Sequence, residues 1–287
     1  MASTLDFSPS QAVVLVNLAC GSSFHPAWRN FDVMPVSPDV AHIDLRRSLP
    51  FEDESVDVCY ASHVLEHLTR NDARALLAEC FRVTKHEGII RLVVPDLASV
   101  AREYIRILEE VERGLVEARH KYEWIVIELL DQLVRHDSGG DMGRYLIGHR
   151  ISDVQFAVSR IGLEAEPLID NGEGCEKTCK PRQRRRLSHY LRRLREEMVV
   201  LLAALFLGTD GTLAVREGLF RRSGEVHRWM YDRYSLRELL ETAGFQKVQC
   251  CGAAESRIPG FQEYQLDTVN GRVRKPDSLF IEAIKPS

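Results

Sequence analysis

The chain has 287 residues, 45% of them apolar, with 38 basic and 42 acidic side chains giving a net charge of −4. That length and composition support a large buried core and exclude a disordered or fibrous chain. The slight negative balance excludes any general attraction to nucleic acid or acidic lipid, so such an attraction has to be local. Seven cysteines, an odd number, argue for free thiols and a reducing compartment, which points to the cytoplasm.

The first element is a buried strand over 12–18 that runs into the small-residue turn Ala19-Cys20-Gly21-Ser22-Ser23. Continuous apolar strands suit a parallel sheet covered on both faces, whose ligands sit beyond the carboxyl ends of the strands. Leu18-Ala19-Cys20 superficially matches a lipoprotein box, but Asp6 is the only charged side chain before it, and a secretory leader needs positive charge. A dinucleotide site needs G-x-G-x-x-G and a helix end for the diphosphate, whereas this turn has Gly21 alone, so a nucleoside without phosphates fits better. Short strands over 31–33 and 40–44 follow, carrying Asp32 and Asp44. One acid there can accept from both ribose hydroxyls, and the other from an adenine amino group.

A strand is expected over 56–61, followed by Ser62-His63-Val64-Leu65-Glu66-His67. Ala73, Leu76, Leu77, Cys80 and Phe81 then mark one face of a helix over 70–85. The fifth strand, 89–94, ends at Pro95-Asp96. Strands alternating with crossovers give an α/β fold.

These stretches resemble the class I S-adenosylmethionine-dependent methyltransferases, in the type 11-like branch whose core reads roughly N-L-G-C-G, D, D-L, L-P-F-x-D-x-S-x-D, S-H-x-L-E-H, E-x-x-R-V-L-K-P-G-G and P-D. The likeness spans about 12–96 and returns near 227–285, where His227-Arg228-Trp229-Met230-Tyr231-Asp232 precedes a helix ending Ala243-Gly244-Phe245. Ala19 departs from it by replacing a glycine, Asn17 by standing where relatives carry an acid, and Thr84 with His86-Glu87-Gly88 by loosening a lysine-proline turn. The resemblance implies a Rossmann-like, seven-stranded, mostly parallel sheet with a large helical insertion after the fifth strand. Its last strand, over 278–284 and antiparallel, follows a sixth over 246–252. The connection from 18 to 32 is so short that the first crossover helix is expected to be vestigial or absent.

The same resemblance places Ala19, Cys20 and Gly21 against the methionine part of S-adenosylmethionine, Asp32 on the ribose, Asp44 and Leu45 on the adenine, and Ser62 and His63 near the sulfur. S-adenosylhomocysteine is the expected product. His63, Asp96, His227 and Tyr231 are candidate bases, with His67 beside them; histidine suits proton removal near neutral pH. The acceptor is expected to be a small molecule, most simply a hydroxyl of a sugar or secondary metabolite, and O-methylation in biosynthesis is the primary reading. The alternative is a non-catalytic interaction module. His63-x-x-Glu66-His67 also spells the H-x-x-E-H of inverted zinc peptidases, but spacing marks no third ligand, and no metal is assigned. Cys175 and Cys179 make one isolated pair in a loop.

Domain limits follow as 1–96 for the first part of the core, 97–226 for a helical insertion or lid shaping the acceptor pocket, and 227–287 for the returning core. Helical periodicity covers 98–117, 122–135 and 145–160, and Ser138-Gly139-Gly140-Asp141 interrupts it. The basic segment 177–195 offers a solvated face, or a docking surface for an anionic substrate, carrier protein or membrane surface; nucleic acid is not expected there. The apolar run 198–207 falls short of the ~20 residues that span a bilayer, so a buried helix is expected and no transmembrane segment.

Overall fold

A computed structural model describes residues 13–148, 151–165 and 187–287. Seven strands form one sheet: β1 (Leu15–Leu18), β2 (Arg29–Asp32), β3 (Val40–His42), β4 (Val56–Ser62), β5 (Thr84–Pro95), β6 (Gln246–Cys251) and β9 (Ser278–Ile284). Their order is β3-β2-β1-β4-β5-β9-β6, and a two-stranded ribbon pairs β7 (Thr268–Val269) with β8 (Arg272–Val273). Strands β1 to β5 pair in parallel, while β9 runs antiparallel to both β5 and β6. This is the Rossmann-like sheet that the sequence pattern implies.

Strand side chains alternate between two faces, and each face has its own cover. Val16, Leu18, Cys59, Ala61, Leu92 and Val94 pack under α1 (Arg70–Val83) and α7 (Arg233–Thr242), which contribute Leu76, Leu77, Leu236 and Leu240. Helix α1 starts where the Thr69 hydroxyl accepts from the Asp72 amide, and α7 where Asp232 and Ser235 complete a reciprocal cap. On the other face Leu15, Val58, Tyr60, Ile89 and Val93 meet Trp28 and a loop carrying Ile258, Phe261 and Leu266. No helix joins β1 to β2; the chain turns back at once, and Cys20 donates its amide to the Phe31 carbonyl.

The insertion supplies α2 (Leu97–Glu112), α3 (Ala118–Val134), α4 (Gly140–Gly148) and α5 (Ile151–Ile161). Its interior centres on Trp124, Tyr145, Leu146 and Ala157, with a second cluster of Val100, Ile107 and Ile125. The single helical pattern over 145–160 therefore falls on two helices. The insertion docks where Gly162 meets the 274–277 segment: the Leu163 amide donates to the Arg274 carbonyl, and the Asp277 amide to that of Arg160. Gly162 has φ +63, and a Cβ there would lie 2.4 Å from the Arg274 carbonyl oxygen, so glycine alone allows this approach.

One expectation is overturned. The run 198–207 is not a buried helix; it belongs to α6 (Leu187–Arg221), and Met198, Leu201, Leu205, Phe206 and Leu207 are exposed. Over 28 residues, Leu194–Arg221, this helix is long and apolar enough to cross a membrane by length and composition, and only 6% of its most apolar window is buried. Among the described residues, little covers this apolar face. Gly208, at φ 67 and ψ −154, kinks it. Residues 171–175, Cys179 and positions 177–186 of the basic segment lie outside the described residues.

Candidate functional site

Two cavities of about 440 Å³ each adjoin at the carboxyl ends of the strands. The first is lined by Asn17, the turn Ala19 to Ser23, Tyr60, Ser62, His63 and Val93, and closed by Leu266 and Asp267. The turn is built for close approach: Ala19 and Gly21 have φ of 52 and 54, and a Cβ on Gly21 would meet nothing within 4 Å. Because no helix begins here, no amide cluster awaits a diphosphate. The residues present fit a thioether-bearing nucleoside better than a dinucleotide.

Asp32 ends β2 and lies behind this turn rather than on the cavity wall. Its carboxylate accepts the Gly21 amide at 2.9 Å and the Met34 amide at 2.7 Å, one on each oxygen, so each keeps a lone pair for a hydroxyl. Asp44 is paired with Arg46 at 2.9 Å and with Arg47, and the Arg46 hydrogen bond holds its carboxyl down at about 2. Asp44 and Leu45 do not reach the first cavity. Burial and the nearby Asp32 push the Cys20 thiol up to about 11.

The second cavity lies between core and insertion. Its walls are His63, His67, Pro95, His227 and Asp277 from the core side, and Gln132, Arg135, Met142, Gly143 and Glu164 from the insertion. His63, Glu164 and Lys275 line both cavities. His63 sits at φ 54 directly after β4, its amide donating to the Val93 carbonyl. Its Nε2 shares a 3.0 Å hydrogen bond with the Ser278 hydroxyl, and its Nδ1 lies 3.0 Å from Glu66 Oε1.

The other candidate bases separate. Asp96 caps α2 by accepting the Ala98 amide and lines neither of these two cavities, but a small one beside His227 and Asp277. His227 is buried on the second cavity, its imidazole driven down to about 3 by desolvation. Tyr231 is buried with its hydroxyl unpartnered, and burial together with the Glu66 carboxylate raises it to about 12. The sequence reading brings Ala19, Cys20, Gly21, Ser62 and His63 to one cavity and His63, His67 and His227 to the next.

A buried network escaped it. Arg91 in β5 is fully buried, donating from Nε to Asp267 at 2.8 Å and from Nη1 to Glu282 at 2.7 Å, while Tyr60 donates its hydroxyl to Asp267 at 2.5 Å. These bonds pin the 252–267 loop that walls the first cavity. An arginine inside an otherwise apolar strand was the available signal.

Residues 16–92 match the family described as a methyltransferase domain. No curated protein matches the chain. Among solved structures the chain is similar to one from the complex of the Haloferax volcanii Trm112 methyltransferase activator with a methyltransferase, at 13% identity and TM-score 0.39, over 96% of this chain and 84% of that one. It is similar to an S-adenosylmethionine-dependent methyltransferase of Listeria monocytogenes, at 13% identity and TM-score 0.38, over 96% and 91%. A third, from Archaeoglobus fulgidus, has 12% identity and TM-score 0.37, over 96% and 86%.

Proposed function

We infer that this protein, whose residues 16–92 match a methyltransferase domain, is a class I S-adenosylmethionine-dependent enzyme that transfers a methyl group to a hydroxyl of a small, polyhydroxylated acceptor. When bound, the cofactor supplies a methyl already activated by its sulfonium. The Ala19 to Ser23 turn would hold its methionine part and Ser62 the sulfur end, with Asp32 behind the turn toward the ribose; Asp44, held by Arg46 and Arg47, is not available to the adenine. The observation that carries the reading is the junction of two equal cavities at His63, one on the methyltransferase turn and one roofed by the insertion.

The protein's own contribution is then positioning, which can lower a barrier by about 7–11 kcal/mol when two reactants are held aligned and dry. Insertion residues Gln132, Met142 and Gly143 would seat the acceptor and exclude water. His63 is the proposed base: Glu66 flanks Nδ1, leaving Nε2, now on Ser278, to take the hydroxyl proton. We keep 97–226 as the lid between core segments 1–96 and 227–287. Free thiols on all five described cysteines support a reducing compartment, the cytoplasm.

Gly143 tests this reading, since its Cβ position is open and it lines the second cavity. Gly143→Phe should abolish transfer of labelled methyl to a panel of polyols while leaving S-adenosylhomocysteine affinity intact. Unchanged transfer would remove the acceptor from that cavity.

The exposed apolar face of α6 favours a second, compatible reading: peripheral attachment to an anionic membrane surface. The Gly208 kink follows the apolar run 198–207 directly, and arginines 192, 193 and 195 precede that run. Sedimentation with phosphatidylglycerol vesicles should be lost in Phe206→Asp. Equal sedimentation of both proteins would refute it.

A further inference from the structure

We propose that Glu66, His67 and His227 form a binding site for a divalent first-row transition cation, open to the second cavity. One donor atom from each lies within 4.8 Å of the others. Metal–ligand bonds of about 2.0–2.2 Å need donors roughly 3–3.5 Å apart, so small side-chain rotations close the triangle. Two imidazoles and a carboxylate are the donors such cations take, and a three-ligand set leaves positions for a substrate oxygen.

The polar groups themselves ask for a partner. Glu66 is fully buried; His63 Nδ1 lies 3.0 Å from its Oε1, and Oε2 has no partner. His67 Nδ1 is buried without a partner as well, as is the Tyr231 hydroxyl. A buried carboxylate with one oxygen unpartnered, beside the unpartnered His67 Nδ1, is costly, and a cation satisfies both at once.

The backbone shows how two distant segments meet. Leu65–His67 is a single 3-10 turn, and its Glu66 carbonyl accepts the Arg228 amide at 2.6 Å and the Trp229 amide at 3.3 Å. The His227 amide donates to the Gln132 carbonyl at 2.8 Å, so the extended segment returning from the insertion is clamped from both sides. Those bonds set the His227 ring edge-on to His67, with centroids 4.7 Å apart. His63 stands beside the carboxylate and not with the donors. The 3-10 turn removes the helical face on which an H-x-x-E-H peptidase aligns its two histidines.

Resting on the methyl-transfer reading, the cation would ligate and orient the acceptor oxygen in the second cavity. The site itself does not depend on that role, and one set of preparations separates the two. The full chain, stripped with chelator and dialysed, is titrated with zinc, manganese and cobalt, with S-adenosylhomocysteine binding measured in parallel. One cation per chain is expected, with affinity at least 100-fold weaker in Glu66→Gln and in His227→Gln, and less than 10-fold weaker in His63→Gln. In the wild type, copper(II) should show nitrogen hyperfine coupling from two imidazoles, a readout that needs no variant. Absence of stoichiometric binding, equal binding in His227→Gln, or copper without imidazole coupling overturns the site. Cation binding by a protein that ignores S-adenosylhomocysteine would instead overturn the methyltransferase reading and leave the site standing.

Discussion

Replacing Arg91 by alanine tests how the first cavity keeps its wall. The guanidinium is fully buried, donates to Asp267 and Glu282, and reaches the Glu255, Gly252 and Ala253 carbonyls at 2.9, 3.2 and 3.3 Å. Its removal strands two carboxylates in the core, and breaking a buried pair by deleting one partner costs about 3–5 kcal/mol. Folded domains hold only about 5–15 kcal/mol, so roughly a fifth or more of the stability should go. At about 2–4 °C per kcal/mol for a chain of this order, the melting temperature should fall by roughly 6–20 °C. Burial already raises the Asp267 carboxyl, and Arg91 is the chief restraint on it. Without that restraint its folded pKa rises further above the unfolded value, so its stability contribution is full below the unfolded pKa and lost as pH rises towards the folded one. Calorimetric melts at pH 4 and 8 should therefore show the variant losing more than the wild type on the alkaline side, with Asp267→Asn added to it restoring part of the loss. A melting temperature within 2 °C of wild type at both pH values would refute the reasoning.

Gly162→Ala should cost about 1–3 kcal/mol, because its Cβ would strike the Arg274 carbonyl and Pro276 at an already left-handed backbone position; a thermal melt without a shift would remove Gly162 from the docking of the insertion. Thr69→Ala should cost about 1 kcal/mol by freeing the Asp72 amide at the start of α1, measurable by urea unfolding, and no change in midpoint would contradict the cap. Iodoacetamide at pH 8 should label exposed Cys250 well before Cys20, whose buried thiol is raised to about 11; peptide mapping that finds Cys20 modified first would contradict its environment.

The centre of the sheet is legible in the sequence because β1, β4, β5 and β9 are buried on both faces and read as short apolar runs, whereas the half-exposed β2, β3 and β6 are placed mainly by their position in the order. The missing first crossover helix is legible too, from the few residues between Leu18 and Asp32. Non-local pairings are not. Nothing near Arg91 in sequence announces Asp267 or Glu282, and spacing around His67 cannot mark His227, which returns only after the insertion. The run 198–207 misled for a different reason: apolar content says that a helix needs cover, not that the protein's own core supplies it. Asp32 is found where the pattern puts it, but its first partners are the Gly21 and Met34 amides, a local turn that strand-level reasoning does not resolve.

Titration calorimetry with S-adenosylhomocysteine tests the central claim, that the turn after β1 holds this nucleoside with Asp32 behind it. Saturable one-to-one binding is expected for the wild type, at least 100-fold weaker in Asp32→Ala, with Asp32→Asn intermediate because it keeps an acceptor for the Gly21 amide. Absence of binding by the wild type, or equal affinity in Asp32→Ala, would contradict the account.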